Sequence, residues 1–306
     1  MTKDGLSAWL LHPDGQASLV ELCGLWRETL VRASCLLDPP PWQEGVAPWE
    51  LAGKVRGSWG DDLKRGASLL ALAGQPCPWW PPCALDVFFR PQGKLTGGLE
   101  IPKPYVIRVD YEPEAGMVRI VLALFGLAGD YATAAAASLA AALRHNLRWA
   151  QGRAPGCELA DMEIVAAPAP DPGDGAHKAC LRFLAPLNQR SGRESLLSPQ
   201  SMLTGLANRV SGLARWHGLE LAEDFKELKR LIRSLQGEFE QAERHHWFRQ
   251  SQRQDGRNIP MEGFLGDLWL RGDLLALTPL LALGERCHAG GRAALGMGQY
   301  RLEWQT

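Results

Sequence analysis

The chain has 306 residues, which exceeds the usual size of one domain and predicts two domains of roughly 150 residues each. Its composition, 46% hydrophobic and 22% charged, is that of a globular protein and excludes a low-complexity, disordered chain. Lysine plus arginine (33) nearly balance aspartate plus glutamate (34), so the charge excludes a uniformly basic protein, and nucleic-acid binding would require a local basic patch.

The cysteines and the N-terminal residues bear on the compartment. No basic segment followed by an apolar one opens the chain, and no later apolar run approaches the ~20 residues of a membrane helix. Seven cysteines are scattered and odd in number, which favours a reducing compartment. We therefore predict a cytoplasmic protein without membrane contact. Cys77 and Cys83 lack a second ligand cluster, so ordinary thiols are favoured over zinc ligands.

The first half of the chain predicts the order β-α-β-β-α-β with insertions. Residues 25–37 favour a strand that ends at the prolines after Asp38. Residues 48–74 predict a loop entering a helix, with Asp61 and Asp62 favouring the N-terminal end of that helix. Three strands, an alanine-rich helix and a closing strand follow, at residues 84–89, 105–109, 118–125, 129–149 and 158–166.

The second half repeats this order after a linker. Residues 166–177, rich in Pro, Gly and Asp, predict a boundary between two domains, residues 1–170 and residues 177–306. The elements predicted are a strand at 178–184, helices at 199–217 and 221–235, hairpin strands at 239–253 and 259–270, a helix at 274–283 and a strand at 300–304. Pro279 weakens the prediction of the last helix. The predicted fold class is α+β, with two tandem ferredoxin-like domains.

Residues 284–300 are glycine-rich and contain Gly284, Gly290, Gly291, Gly296 and Gly298. Glycine admits positive φ and close approach of a ligand, so N–H groups in such a loop can face an anion. Two arginines in the loop, Arg286 and Arg292, add donors that match phosphate geometry. The alternative is a connection whose glycines only permit turns. The pattern is not a P-loop, because no Gly-Lys-Ser/Thr follows, and no strand leads into it as a dinucleotide site requires.

Several blocks of sequence, in order, resemble one protein family. They are VRGSWGDDLKR (55–65), IPKPYVIR (101–108), LALFGLAGDY (122–131), HWFRQSQRQ (246–254), and GFLGDLWLRGDL followed by LGERCHAGGRAALGMGQYRL (263–302). Together they resemble the CRISPR repeat-processing endoribonucleases of the RAMP superfamily, in particular the larger two-domain branch. The likeness covers most of the chain, and the ordered set is specific although no single block is.

This resemblance implies tandem ferredoxin-like domains that bind a CRISPR repeat in precursor RNA and cut it once per repeat, with neither metal nor other cofactor. A ribose 2′-hydroxyl attacks the adjacent phosphate and leaves a cyclic 2′,3′-phosphate and a 5′-hydroxyl. Histidine suits the acid and base roles in this chemistry, and arginine or lysine suits charge stabilisation. The implied partners are the repeat RNA hairpin, on whose 3′ end the protein stays, and other CRISPR effector subunits, without direct DNA contact.

Two histidines are the catalytic candidates, His288 and His246. His288 lies in the glycine-rich block beside two arginines, although it can equally cap the last helix and bond a carbonyl. His246 follows His245, and only one of the pair can face RNA if the segment is a strand. The candidates for RNA contact are Arg56, Lys64, Arg65, Arg249, Arg253, Arg257, Arg286, Gly290, Gly291, Arg292, Gly296 and Gly298. The tryptophans favour core or loop packing at positions 26, 79, 149 and 216, and RNA contact at Trp247 alone.

Three hypotheses remain open. The first is an endoribonuclease that matures CRISPR RNA. The second is a non-catalytic RNA-binding subunit, because the glycine-rich loop lacks the lysine and two threonines that the family often has there, and residues 46–74 lack the histidine often found near the first helix. The third is a protein that binds a nucleotide or small anion through the glycine-rich loop.

Overall fold

The structure, a computed structural model, describes residues 5–95, 98–150, 156–173, 177–189, 197–251 and 257–305, and only the backbone at positions 250, 251 and 257. Within these ranges, no helix combines the length and hydrophobicity that crossing a membrane requires. Each half of the chain forms a four-stranded antiparallel sheet.

The first half has the ferredoxin-like order around one sheet. Its elements are α1 (Gly5–Leu11), β1 (Gly15–Ala17), α2 (Leu19–Leu25), β2 (Glu28–Asp38), α3 (Pro48–Leu63), α4 (Leu69–Leu72), α5 (Ala84–Phe89), β3 (Tyr105–Glu112), β4 (Met117–Phe125), α6 (Ala132–His145) and β5 (Gly156–Ala166). The strands pair in the order β3-β4-β2-β5. Central strand β4 is apolar and buried along most of its length, as its sequence predicts.

The second half repeats this topology. Its elements are β6 (Lys178–Phe183), α7 (Pro199–Ala214), β7 (Leu219–Leu221), α8 (Phe225–Ser234), β8 (Gln236–Ser251), β9 (Arg257–Arg271), α9 (Thr278–Cys287) and β10 (Tyr300–Gln305). The strands pair in the order β10-β6-β9-β8, and β8 with β9 forms the predicted hairpin. Ser198 caps α7, and Pro199 opens it, as predicted. The predicted class, α+β with two tandem ferredoxin-like units, is confirmed.

Two local predictions in the first half are wrong. Residues 84–89 form helix α5 instead of a strand, and Asp86 in its first turn favours the N-terminal end of that helix. Helix α3 begins at Pro48, whose fixed φ suits a first helical position, so Asp61 and Asp62 lie in its last turn. In the second half, Pro279 likewise stands in the first turn of α9 instead of weakening that helix.

The two halves share one hydrophobic core. Strand β1 pairs in parallel with β7 of the second half, and the guanidinium of Arg215 donates to the carbonyl oxygens of Leu10 and Leu11. A Cβ on Gly126, which has φ +56°, would lie 2.1 Å from the carbonyl oxygen of Trp216. The first residues therefore pack against the second half, and the domain boundaries at residues 1–170 and 177–306 stay a prediction.

Candidate functional site

A cleft of about 670 Å³ lies between helix α3 of the first half and the β8–β9 hairpin of the second. The α3 wall includes Trp49, Glu50, Lys54, Arg56 and Lys64, and the hairpin wall includes Trp247, Arg249, Ile259 and Met261. Because side chains alternate between the two faces of a strand, every second residue of β8 faces α3. His245 belongs to this face, since its ring lies 5.5 Å from that of Trp49 between centroids.

Arg249 is the central cation of the cleft. Its side chain is half-buried, and its Nε is buried without a hydrogen-bond partner. Burial, together with the positive charges of Arg56 and Arg292, lowers the pKa of Arg249. Within the described residues Arg249 forms no ion pair. A desolvated cation beside two like charges is unfavourable in the free protein, and a bound anion would relieve this cost.

The two neighbouring arginines are held in place by the protein. Arg56 donates from Nε to the Tyr105 hydroxyl at 2.9 Å, and its guanidinium lies 4.8 Å from the centroid of the Phe89 ring. Arg292 donates to the carbonyl oxygen of Pro260 at 3.1 Å. A fixed guanidinium loses little side-chain entropy when it binds an anion, so these contacts prepare a phosphate site.

The other predicted basic contacts are less available. Lys64 pairs with Asp61 at 2.8 Å, and Arg65 pairs with Asp62 at 3.2 Å. Arg286 is partly buried, and its guanidinium lies 3.9 Å from the Glu28 carboxylate. Arg253 lies outside the described residues, and so does the side chain of Arg257. Among the candidates whose side chains the structure describes, Arg56, Arg249 and Arg292 lie together, and Lys64 lines the same cleft in its pair with Asp61.

The glycine-rich loop packs the two halves together. The N–H of Gly291 donates to the Asn188 carbonyl, and the N–H of Gly298 donates to that of Pro186. A Cβ on Gly296, which has φ +87°, would lie 2.6 Å from the Cβ of Ala52 in α3. Gly296 and Gly298 are buried and present no surface to RNA, whereas Gly290 and Gly291 reach the surface.

His288 is fully buried between the halves, at 0% exposure. Arg108 donates from Nε to its Nε2 at 3.4 Å, and its Nδ1 lies 3.2 Å from the Met297 carbonyl oxygen. These partners assign the proton to Nδ1. Burial, with the charges of Arg108 and Arg209, holds the pKa of His288 well below its usual range. The geometry therefore favours the alternative in which His288 caps α9 and bonds a carbonyl.

Two arginines complete this buried junction at the C-terminal end of α9. Arg108 of β3 donates to the carbonyl oxygen of Arg286 at 2.6 Å, and Arg209 of α7 donates to that of Cys287 at 2.8 Å. Cations at a helix C-terminus stabilise the exposed carbonyl groups. Arg108 also lies 3.4 Å from Glu28, whose pKa is raised by burial. The cluster ties the first sheet to the second half.

His246 lies on the solvent side of β8, across the strand from the cleft. Its side chain is 57% exposed, and its Nδ1 lies 3.9 Å from Oε2 of Glu262. Glu262 also pairs with Arg244 at 2.8 Å. As predicted for a strand, His245 and His246 point to opposite faces, and His245 is the one that meets α3.

The sequence contains a signal that points to α3 as a cleft wall. Steps of three and four residues join Trp49, Gly53, Arg56, Gly60 and Lys64, so one face of the helix carries small, aromatic and basic side chains. Glu50 and Lys54, which no motif singles out, line the same wall. Burial raises the pKa of Glu50, while Lys54 and His245 act in the opposite direction.

The thiols of Cys77 and Cys83 lie close together, and the N–H of Cys83 donates to Sγ of Cys77 at 3.3 Å. In the described part of the chain, no group of three or more His, Cys, Asp or Glu side chains is placed to hold a metal ion.

Comparison with known proteins gives a family and a fold. Residues 181–300 match the model of the family CRISPR-associated endoribonuclease Cas6. No curated protein matches the chain in sequence. Among solved structures, a Cas6 product complex is 19% identical with a TM-score of 0.56, covering 90% of this chain and 99% of that one. Thermus thermophilus Cas6 is 17% identical with a TM-score of 0.54, covering 91% and 99%.

A Cas6 substrate mimic complex is also similar, with 16% identity, a TM-score of 0.52, and coverage of 91% of this chain and 100% of that one. At these identities the structural likeness concerns the fold, and the sequence match lies in the second half, from β6 to the start of β10. The resemblance to CRISPR repeat-processing endoribonucleases is confirmed: residues 181–300 match the Cas6 family, and the chain as a whole has the Cas6 fold.

Proposed function

We propose that this protein binds CRISPR repeat RNA in the cleft between α3 and the β8–β9 hairpin, and cuts precursor RNA within the repeat. The observation that carries the proposal is the unpartnered Nε of Arg249, half-buried and flanked by Arg56 and Arg292. Three clustered guanidinium groups match the repeated phosphates of an RNA backbone. The match of residues 181–300 to an endoribonuclease family favours RNA over a free nucleotide or a small anion.

The proposed reaction is an internal transesterification that uses no metal. The ribose 2′-oxygen forms a bond to the adjacent phosphorus while the bond to the 5′-oxygen breaks. The proton of the 2′-hydroxyl passes to a base, and the departing 5′-oxygen receives a proton from an acid. Arg249 and its two neighbours stabilise the negative charge that develops on the phosphorane. The product with the cyclic phosphate stays in the same cleft, because its phosphates keep their contacts with these cations.

For proton transfer the proposal takes His245, whose ring faces α3 in the cleft, because His246 lies on the opposite face of β8 and His288 has a structural role in the buried junction. His245→Ala should slow single-turnover cleavage by about a hundredfold or more while RNA binding persists. His246→Ala, one residue away and on the outer face of β8, is the matched comparison. Equal cleavage by His245→Ala and the parent protein would remove His245 from the mechanism, and a loss in His246→Ala alone would place the chemistry on the outer face.

The deciding experiment incubates the protein with RNA carrying a CRISPR repeat of its source organism, in excess chelator. Cleavage that leaves a cyclic phosphate supports the proposal. Arg249→Ala should weaken RNA binding by about tenfold to hundredfold, as loss of charge-assisted hydrogen bonds does. Arg230→Ala, which removes an exposed arginine paired with Glu227 on α8, should leave binding unchanged.

The second candidate is a non-catalytic RNA-binding subunit of a CRISPR complex, favoured by the absence of a histidine from residues 46–74. Tight repeat binding without cleavage, with the same sensitivity to Arg249→Ala, would establish it. If the protein neither binds nor cuts repeat RNA, both candidates fail. Retention is tested separately, by adding excess unlabelled RNA after the cut. Labelled product that stays bound to the protein shows retention, and labelled product that is released shows its absence.

A further inference from the structure

Two tryptophans stand exposed on a proline-rich loop of the first half. Trp79 and Trp80 keep 51% and 60% of their surface accessible, whereas Trp26, Trp149 and Trp216 are buried as the sequence predicts. The sequence predicts packing for Trp79 as well, and the structure corrects this. Large aromatic side chains that are exposed next to each other are typical of a binding surface.

The loop that carries the two indoles is held at both ends. The N–H of Cys77 donates to Oδ1 of Asp86 at 3.2 Å, and the N–H of Cys83 contacts Sγ of Cys77 at 3.3 Å. Asp86 is itself buried and pairs with Arg90. A proline precedes the first tryptophan and another follows the second, which restricts the backbone between the anchors. The indoles are thus presented by a short, constrained segment that loses little entropy on binding.

This loop begins and ends at the wall of the cleft. Leu72 and Gly74 before the loop line the cleft, and so do Leu85 and Phe89 after it. The cleft lining contains six lysine or arginine residues and two acidic ones, which are Lys54, Arg56, Lys64, Arg90, Arg148 and Arg249 against Glu50 and Asp61. The two indoles thus stand beside a mostly cationic cleft that suits a polyanion, on a loop whose two ends belong to the cleft wall.

We propose that Trp79 and Trp80 form a stacking platform for unpaired bases of the RNA strand that leaves the cleft. This inference rests on the proposed function and adds a substrate class to it, single-stranded RNA flanking the site of binding. Stacking uses the π-face that every base has, so the platform tolerates any sequence. Paired bases present no free face, so the hairpin itself does not occupy this platform.

An RNA strand fits this surface better than a protein partner, because the apolar loop is continuous with a cationic cleft. The competing occupant, an apolar protein surface, would also bury the leucines of α4, of which Leu69 is 84% exposed. Leu69 has no π-face to offer a base. The two occupants therefore predict different effects of changes at Leu69 and at the tryptophans.

The test measures binding of the full-length protein to single-stranded oligoadenylate and to the same chain with abasic sites. The double variant Trp79→Ala/Trp80→Ala should bind oligoadenylate about tenfold to hundredfold more weakly. Its affinity for the abasic chain, and the slope of affinity against salt concentration, should stay unchanged because no phosphate contact is lost. The double variant Trp79→Phe/Trp80→Phe should retain most of the affinity, and Leu69→Ser should retain all of it.

The remaining outcomes of this binding test decide against the platform or separate it from the proposed cleavage. Equal binding of oligoadenylate by the parent and the alanine variant overturns the platform, even if the parent protein cuts repeat RNA. An equal loss for the abasic chain also overturns it, because the tryptophans would then act through the fold. A loss caused by Leu69→Ser points to an apolar partner surface instead of stacking. If the platform behaves as expected but repeat RNA is not cut, the proposed cleavage fails and the platform stands.

Discussion

Two partly or wholly buried arginines of this protein serve opposite purposes. Arg215 donates to the carbonyl oxygens of Leu10 and Leu11 and pairs with Glu220 at 2.6 Å, so its charge is used within the fold. Arg249 is desolvated beside like charges and, within the described residues, has neither an ion pair nor a carbonyl acceptor of this kind. The guanidinium of Arg249 therefore lowers the stability of the free protein without an internal partner in that part of the chain, and such a group is typical of a binding site.

This contrast predicts a trade between stability and binding at Arg249. Arg249→Met keeps an unbranched apolar stem and removes the repelled charge, so the free energy of unfolding should rise by about 0.5–1 kcal/mol while RNA affinity falls. Arg215→Met should lower the free energy of unfolding by about 1–3 kcal/mol, because carbonyl groups and Glu220 lose their partner. Urea unfolding and RNA titration of both variants measure this. A loss of stability in Arg249→Met would show that Arg249 has a structural role.

At the scale of elements, the periodicity of apolar residues identified both sheets, because alternation and buried runs reflect the packing directly. Residues 84–89 were assigned to a strand because they are apolar, whereas they form one turn and a half of helix. Short apolar runs do not distinguish the two, and here the distant contacts of the fold decide. The sequence does not predict the arginine cluster either, because Arg56, Arg249 and Arg292 come from three separate segments that only the tertiary structure brings together.

Two glycines, one in the glycine-rich loop and one in α7, should respond in opposite ways to the same substitution. Gly296→Ala forces a side chain to adopt φ +87° and places its Cβ 2.6 Å from that of Ala52, so it should destabilise the protein by about 1–3 kcal/mol. Gly205→Ala, inside α7 with no atom within 4 Å of the added Cβ, should stabilise it by about 0.5–1 kcal/mol. Thermal unfolding of the two variants measures the difference. If Gly296→Ala unfolds like the parent protein, the loop does not pack as described.

On the scale of the whole molecule, two histidines of the second half pack against the first, His288 fully buried and His217 partly buried. The ring of His217 stacks on Trp26 with centroids 4.5 Å apart and accepts from the N–H of Arg27. Burial and the charge of Arg27 lower its pKa to about 3. His288 meets Arg108 in the same junction, and its pKa is also lowered, by burial, Arg108 and Arg209. In the part of the chain that the structure describes, neither ring has a carboxylate that would favour its protonation, so both stay neutral while the halves are packed.

Acidification should therefore destabilise the packing of the two halves. The folded-state pKa of each ring lies below the unfolded value near 6.5, so the unfolded chain takes up protons first as the pH falls, and stability is lost. For His217 this loss extends from about pH 6.5 down to about pH 3. Between about pH 7 and about pH 5 the loss from His217 should be about 2 kcal/mol, and His288 acts in the same direction. Because both rings lie at the shared core, fluorescence and circular dichroism should report one unfolding transition.

Urea unfolding at the two pH values tests this, with His217→Asn as the variant. The amide oxygen can still accept from the N–H of Arg27 but does not titrate, so the variant should lose the part of the pH dependence that His217 contributes. His145→Asn changes an exposed histidine at the end of α6 and should keep the slope of the parent protein. The same slope in His217→Asn and the parent would place the acid sensitivity elsewhere. Two separated transitions at neutral pH would show that the halves unfold independently, in spite of the core that joins them.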